Sequence, residues 1–217
     1  MFQKIRDPIS CLTHLLGAVL ALGCCISLVS QAIPYGPTYI FSFLVFGSTL
    51  VLLYSASSVY HMVHVSDRTL LLLRRIDHSM IFIFIAGTYT PVCLIALSGP
   101  WGWGMLVFIW SLAIAGCLLK IFLMHAPRLV STIIYIMMGW VVLIAFYPLS
   151  RALSSLSLFF LVGGGISYTA GAVFYAAKRP QSRPGAPFGF HEIFHLFVMM
   201  GSFFHVLFMF RLFPDNT

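Results

Sequence analysis

Charged side chains are scarce in this sequence. Asp, Glu, Lys and Arg together make up 8% of its 217 residues, whereas soluble domains average about 25%. So few charges cannot cover a water-facing surface, and 60% of the residues are hydrophobic. The apolar runs also lack the alternation that is typical of strands in a transmembrane β-barrel. The composition therefore excludes a soluble domain and predicts an all-α integral membrane bundle, in which each helix satisfies its own backbone hydrogen bonds.

Long stretches without any charge define the helices. No Asp, Glu, Lys or Arg lies between Asp7 and Asp67, and this gap fits two spanning helices of about 20 residues each. A cluster of proline and glycine at residues 34–38 marks the turn between them. The segment 67–75 is too short to span the membrane, and we expect it to lie along the interface. The gaps predict seven helices in a single domain of residues 1–217: residues 11–31, 39–60, 77–97, 103–123, 129–149, 156–177 and 190–212.

The few basic residues are distributed unevenly, with ten of the twelve on one side of the predicted bundle. With seven helices, that side holds the N-terminus and the loops after helices 2, 4 and 6. Its residues are Lys4, Arg6, Arg68, Arg74, Arg75, Lys120, Arg128, Lys178, Arg179 and Arg183. Because cytoplasmic loops carry the excess of Lys and Arg, we predict a cytoplasmic N-terminus and an external C-terminus. Topology and contact with anionic lipid headgroups explain the net charge of +7, so nucleic acid is not an expected partner.

Cysteine pairs are also lacking. The five cysteines form no Cys-x-x-Cys motif, and all of them fall within predicted helices. Cysteines in such positions are typically small buried apolar residues. We therefore expect neither a disulfide framework nor a zinc site made of thiolates.

Ionisable side chains from distant parts of the chain are predicted to meet at one depth of the bundle. His61 ends helix 2 at the cytoplasmic side, Asp77 begins helix 3 there, and His191 and His195 begin helix 7 there. The spacing of four residues places both helix 7 imidazoles on one face, and Ser57 lies one turn before His61. Ionisable groups inside a membrane are costly and usually mark functional sites.

These residue types suit a zinc site. Three neutral imidazoles with an open fourth position are typical of catalytic Zn²⁺, which lowers the pKa of bound water to about 7. We predict that His61, His191 and His195 are the zinc ligands. Asp77 is predicted to orient that water or accept its proton, and Ser57 to support the site through a hydrogen bond.

Each residue also has a purely structural interpretation. A single histidine on a membrane helix most often forms a hydrogen bond within the bundle. Asp77 has Arg74 and Arg75 nearby as partners for an ion pair. The convergence at one depth favours the metal site over these separate explanations.

Three further residues lie near the predicted site. His14 has the right depth and is a candidate for the outer shell of the metal. His205 is about 15 Å beyond His195 at 1.5 Å per residue, so we expect it to line a deeper cavity or to bond to a neighbouring helix. Glu192 faces away from the zinc-binding stripe and is expected only to favour the helix N-terminus, where an anion is stabilised.

Short motifs occur at four places along the chain. They are residues 12–17 (LTHLLG), 57–61 (SSVYH), 77–79 (DHS) with 86–91 (AGTYTP), and 189–195 (GFHEIFH). With these motifs on seven helices, the chain resembles the hemolysin III family over essentially its full length. This family is the bacterial branch of the progestin and adipoQ receptor group, and its signature is shared with alkaline ceramidases and related membrane hydrolases.

The resemblance implies a bundle of seven helices in the bacterial plasma membrane, with the N-terminus inside. It also implies a zinc ion at the cytoplasmic end, and carried over residue by residue its ligands are the three histidines named above. Asp77 would lie beside the zinc-bound water, and Ser57 would be the supporting serine. The family often has Glu and Asn before the Thr-His of helix 1, where this chain has Asp7 and Ser10.

These observations lead to one functional hypothesis and two alternatives. The leading hypothesis is a zinc-dependent hydrolase that acts on a membrane lipid or fatty-acyl substrate through an amide or ester bond. The first alternative is a sensor or regulator of membrane lipids that has no enzymatic activity and holds zinc as a structural ion. The second is a hemolysin-like cytolytic membrane protein.

Overall fold

The computed structural model describes residues 5–97, 99–122, 128–179 and 188–214, which contain helices and no strand. Lys4, Arg183 and most of the predicted loop at 178–189 lie outside this part of the chain. The eight α-helices are α1 (Pro8–Ala32), α2 (Pro37–Met62), α3 (Asp67–Pro91), α4 (Gly99–Phe122), α5 (Arg128–Trp140), α6 (Phe146–Ala152), α7 (Ser155–Ala177) and α8 (Phe190–Phe210).

Seven stretches of helix are long and apolar enough to cross a membrane within the described residues. Helices α5 and α6 form one of these stretches, joined by a 3₁₀ segment at Val141–Ala145. A π-helical segment at Val92–Leu97 likewise extends α3. The predicted all-α bundle with seven spans is therefore confirmed.

The chain between the first two spans turns because of its glycine and prolines. Gly36 has φ of +93°, a value that glycine adopts without a steric penalty. Pro37 then begins α2. A backbone N–H in the first turn of a helix has no acceptor within the helix, so proline loses no hydrogen bond there.

The segment 67–75 is not the separate interfacial element that the sequence predicted, but the first part of a longer helix. Asp67 begins α3, which continues without a break to Pro91. Ser66 caps the helix by accepting a hydrogen bond from the backbone N–H of Thr69 at 3.4 Å, and Asp67 in the first turn is favoured by the helix dipole. The basic residues of this segment are tolerated because long side chains carry their charges beyond the apolar layer.

Close helix contacts form at small residues. Gly47 of α2 faces Cys25 of α1, and Gly87 of α3 faces the side chain of Thr49. Membrane helices commonly associate through small residues. Lipid solvates apolar side chains as well as protein does, so close packing of the helices replaces the hydrophobic effect as the driving force. This packing brings together the helix ends at one side of the bundle, which we call the basic end. There α1, α3, α5 and α8 begin, and α2, α4 and α7 end.

Candidate metal centre

Three histidines meet at the basic end of the bundle. His61 lies in the last turn of α2, and His191 and His195 lie in the first two turns of α8. One ring nitrogen from each lies within 4.8 Å of the corresponding nitrogens of the other two. The Nε2 atoms of His61 and His191 are 3.1 Å apart. The structure thus brings together the three residues that the sequence singles out as zinc ligands.

His14 of α1 lies directly against this group. Its ring stacks on that of His195 with centroids 3.6 Å apart and an angle of 11° between the planes. Tyr54 contacts the other side of His14 edge-on at 5.0 Å. Both ring nitrogens of His14 are buried without a hydrogen-bond partner among the described residues. His14 therefore lies at the predicted depth and packs flat against the ring of His195.

Asp77 and Ser57 lie beside the histidines. Both are buried, with exposed fractions of 9% and 2%. The Ser57 side chain lies beside the Asp77 carboxylate, which is also near His61. Arg74 is close enough to interact with Asp77 electrostatically, but no ion pair within 4.0 Å involves Asp77 in the described part of the chain. The Asp77 carboxylate therefore faces the site rather than a fixed cation.

Asp7 is a site residue that sequence analysis missed. Its Oδ2 atom accepts a hydrogen bond from His61 Nδ1 at 3.0 Å and another from Arg6 Nε at 2.9 Å. Arg6 in turn lies over the ring of Tyr60, 4.4 Å from its centroid. The bond from His61, followed by the bond and charge of Arg6, outweighs desolvation and lowers the pKa of Asp7 to about 2. The ionised carboxylate fixes the tautomer of His61, leaving Nε2 with its lone pair toward the other two histidines.

The sequence gives only a weak indication that Asp7 belongs to the site. It is the single acidic residue before helix 1, and it stands where the related family often has Glu. It precedes the helix and is 54 residues from His61 in the chain, so no helical spacing links the two.

Glu192 has a larger role than the predicted effect on the helix N-terminus. Its Oε2 atom accepts a hydrogen bond from the Gly189 backbone N–H at 2.8 Å, which caps α8. Its Oε1 atom accepts another from the Ser10 hydroxyl of α1 at 3.0 Å. Glu192 therefore ties the start of α8, which carries two of the three histidines, to the start of α1.

His205 and the cysteines behave as the sequence predicts. His205 lies deeper in the bundle and donates from Nε2 to the Leu161 carbonyl oxygen at 3.3 Å. It is not part of the three-histidine group. All five cysteines are free thiols, which confirms the expected absence of disulfides.

A cavity of about 230 Å³ connects this site with the middle of the bundle. Its polar end includes Asp77, Ser57 and two of the three histidines, His191 and His195, with a few further polar groups of α3, α4 and α5. The rest of its wall is mostly apolar and includes Val142, Phe146, Leu149, Leu158 and Leu161. The cavity therefore combines a mostly apolar wall with a polar end.

Known proteins match the chain over nearly its full length. The model of the family described as haemolysin-III related matches residues 2–206. Hemolysin-3 of Bacillus cereus is 39% identical over 213 residues, which cover 96% of this chain and 94% of that protein. The Hemolysin-3 homolog of Bacillus subtilis (strain 168) is 40% identical over 212 residues, or 96% of each chain.

A more distant relative comes from animals. The monocyte to macrophage differentiation factor of Homo sapiens, a member of the progestin and adipoQ receptor group, is 30% identical over 169 residues. These residues cover 74% of this chain and 66% of the human protein. With seven apolar spans and two bacterial relatives near 40% identity, the chain belongs to the haemolysin III family and is a multi-pass protein of the bacterial cell membrane.

Proposed function

We propose that this protein is a zinc-dependent hydrolase of a lipid-like amide or ester, with zinc held by His61, His191 and His195. The observation that carries the proposal is the group of three imidazoles beside a buried carboxylate at the polar end of an apolar cavity. This arrangement would give a hydrolase its metal site, a proton acceptor and room for an acyl chain in one place.

The three histidines fit zinc by type and spacing. Zn–N bonds of about 2.0–2.1 Å in a tetrahedral site separate two ligand nitrogens by about 3.3 Å. The Nε2 atoms of His61 and His191 are 3.1 Å apart, and the nitrogen of His195 lies within 4.8 Å of both. Three imidazoles leave a fourth position open, as in catalytic rather than structural zinc sites.

The chain's own groups would provide the remaining chemistry. When bound, zinc would supply a Lewis acid for a carbonyl oxygen and would make water a better nucleophile near neutral pH. The Asp77 carboxylate would act as a general base and accept a proton from the attacking water. Ser57 lies beside that carboxylate and would orient it, and Asp7 orients His61 through a hydrogen bond.

The cavity favours a lipid-like substrate. Its apolar wall runs from the site toward the middle of the bundle, where an acyl chain is as well solvated as it is in the bilayer. The scissile amide or ester would then lie at the polar end, beside the histidines. The Asp77–Ser57 pair favours the hydrolase over a lipid sensor, because a purely structural zinc ion has no need of a buried carboxylate that faces the cavity.

Hydrolysis of ceramide, an N-acyl amino acid and a lipid ester by the purified zinc-loaded protein tests the proposal. We expect Asp77→Asn to lower kcat by about 10²- to 10⁴-fold, as for loss of a general base, while zinc remains bound. His191→Ala is expected to lose both zinc and activity. His64→Ala, at an exposed position outside the site, is the matched control and should change neither.

Two outcomes would contradict the proposal. The zinc-loaded protein is not a hydrolase if it cleaves none of these substrates. A structural role for zinc is favoured if His61→Ala lowers only the thermal stability and Asp77→Asn leaves every phenotype intact. Bilayer conductance that requires the protein would instead support the cytolytic activity for which the Bacillus relatives are named.

A further inference from the structure

A second polar cluster lines the same cavity as His191 and His195. It consists of Lys120 in the last turn of α4, Ser131 at the start of α5 and Arg74 near the start of α3. We propose that this cluster binds the oxyanion of a lipid headgroup, so that the ligand of the cavity is a single-chain amphiphile with an anionic head. This inference rests on the proposed function and names the substrate class of that hydrolase.

Lys120 is buried without a negative partner. Its exposed fraction is 5%, and its Nζ donates a hydrogen bond to the Ser131 hydroxyl. The ion pairs within 4.0 Å among the described residues are those of Asp7 with Arg6 and His61, and none includes Lys120. A buried ammonium group is stable only when an anion or several hydrogen bonds replace its water. One neutral hydroxyl does not do this, whereas a bound oxyanion would.

A topological role alone does not explain this position. A lysine near the end of a membrane helix normally extends toward the interface and keeps its charge in water. Lys120 instead lies inside the bundle against Ser131, which is 5% exposed. The side chain therefore points toward the cavity rather than to the lipid surface.

Arg74 adds a second positive charge to the cluster. It is close enough to Lys120 and to Asp77 to interact with both electrostatically. The polar end of the cavity thus contains two cations and the single carboxylate of Asp77. Phosphate and carboxylate groups are the usual partners of Lys and Arg in such sites.

The cavity offers a separate group of residues to each part of such a ligand. The apolar wall takes the acyl chain, the three histidines face the scissile carbonyl, and the cation cluster takes the anionic head. A neutral amphiphile such as a monoacylglycerol fills the first two positions only. If two lipids share the same acyl chain, we therefore expect the protein to bind the anionic lipid more tightly than the neutral one.

The test compares 1-oleoyl-lysophosphatidate with 1-oleoylglycerol, which share the acyl chain and differ by the phosphate. Their affinities for the purified full chain in a non-ionic detergent are measured by titration calorimetry. We expect the wild type to bind the lysophosphatidate at least about tenfold more tightly, as for hydrogen bonds to charged groups. Lys120→Met should abolish this preference, and Lys120→Arg should keep most of it. Lys178→Met is the matched control, because Lys178 is exposed at the end of α7 and does not line the cavity.

The outcomes separate this inference from the hydrolase proposal. A preference that depends on Lys120 in the absence of hydrolysis supports the headgroup site and contradicts the enzyme. Hydrolysis that is equally fast on both lipids and unchanged by Lys120→Met overturns the headgroup site and leaves the enzyme. Inorganic phosphate that competes with the lysophosphatidate at equal affinity assigns the cluster to a free anion and overturns the lipid assignment.

A second variant tests the headgroup site if Lys120→Met does not fold. If Lys120→Met is not recovered in folded form, Arg74→Gln at an exposed position of α3 replaces it. Loss of the preference for the lysophosphatidate in Arg74→Gln supports the site, and an unchanged preference overturns it.

Discussion

Both ring nitrogens of His61 contact other residues. Its Nε2 atom faces His191, and its Nδ1 atom donates to Asp7, which is itself fixed by Arg6. A carboxylate behind a ligating histidine orients the ring and makes it a better ligand. Asp7, the residue before α1, therefore orients the ring of His61, the proposed zinc ligand at the end of α2.

Asp7→Asn tests this role. We expect zinc affinity to fall by about 10- to 100-fold, as is typical when such a partner is removed from a ligating histidine. The affinity is measured by competition with a chromophoric chelator. Asp67→Asn removes an exposed acidic residue from the first turn of α3 and should have no effect. Equal zinc affinity in the wild type and Asp7→Asn would show that Asp7 does not support the metal.

At the scale of single residues, the sequence predicts the arrangements that local spacing determines. His191 and His195 are four residues apart, so the helix alone places both rings on one face. Asp7 and Lys120 are harder to predict because their roles depend on contacts between distant helices. In the sequence, Lys120 is one of ten positive charges on the predicted cytoplasmic side. Only the structure shows that it is buried and hydrogen-bonded to Ser131 of α5.

At the scale of elements, the fifth span is interrupted by the 3₁₀ segment Val141–Ala145. Tyr89 of α3 stabilises this interruption. Its hydroxyl donates to the Gly139 carbonyl at 2.7 Å and accepts from the Val142 N–H at 2.8 Å. These backbone groups lack regular α-helical partners, and Tyr89 replaces them. The sequence predicts one continuous helix here, because a tertiary hydrogen bond leaves no local pattern.

Tyr89→Phe should destabilise the fold. It removes the hydroxyl but keeps the ring, and it leaves two backbone groups without their partner at a cost of about 1–3 kcal/mol. A lower midpoint of thermal unfolding in detergent is the measurement. Tyr147→Phe, which is 73% exposed, should leave the midpoint unchanged. The same midpoint in wild type and Tyr89→Phe would exclude this role of the hydroxyl.

The contact between α1 and α2 depends on Gly47. A Cβ atom at this position would lie 3.0 Å from the Cα atom of Cys25, so Gly47→Ala would push the two helices apart. We expect a loss of about 1–3 kcal/mol, as for other overpacked sites, seen as a lower unfolding midpoint. Gly23 of α1 has open space around its position. Gly23→Ala is therefore the control, and an equal effect of both variants would contradict the packing argument.

At the scale of the whole molecule, hydrophobicity predicts the bundle well. Each span needs about 20 apolar residues, and the chain offers seven such stretches. The exact ends are less predictable, as α3 shows by beginning at Asp67. Charged residues do not end a helix by themselves, since the backbone hydrogen bonds continue into the headgroup layer.

Orientation in the membrane stays a prediction of the charge distribution. We expect alkaline phosphatase fused after Thr217 to be active, because this enzyme folds only outside the cytoplasm. The same enzyme inserted within residues 123–127, in the predicted cytoplasmic loop after α4, should be inactive. The reverse pattern would place the basic end outside the cell.

The separation of the histidines in the chain has a consequence for folding. His61 and His191 are 130 residues apart in sequence, so an ion bound between them would act as a cross-link that closes most of the chain into one loop. The second span and the last span would then unfold together rather than in succession. Each tenfold rise in free zinc above the dissociation constant would add about 1.4 kcal/mol to the unfolding free energy, and a chelator would remove it.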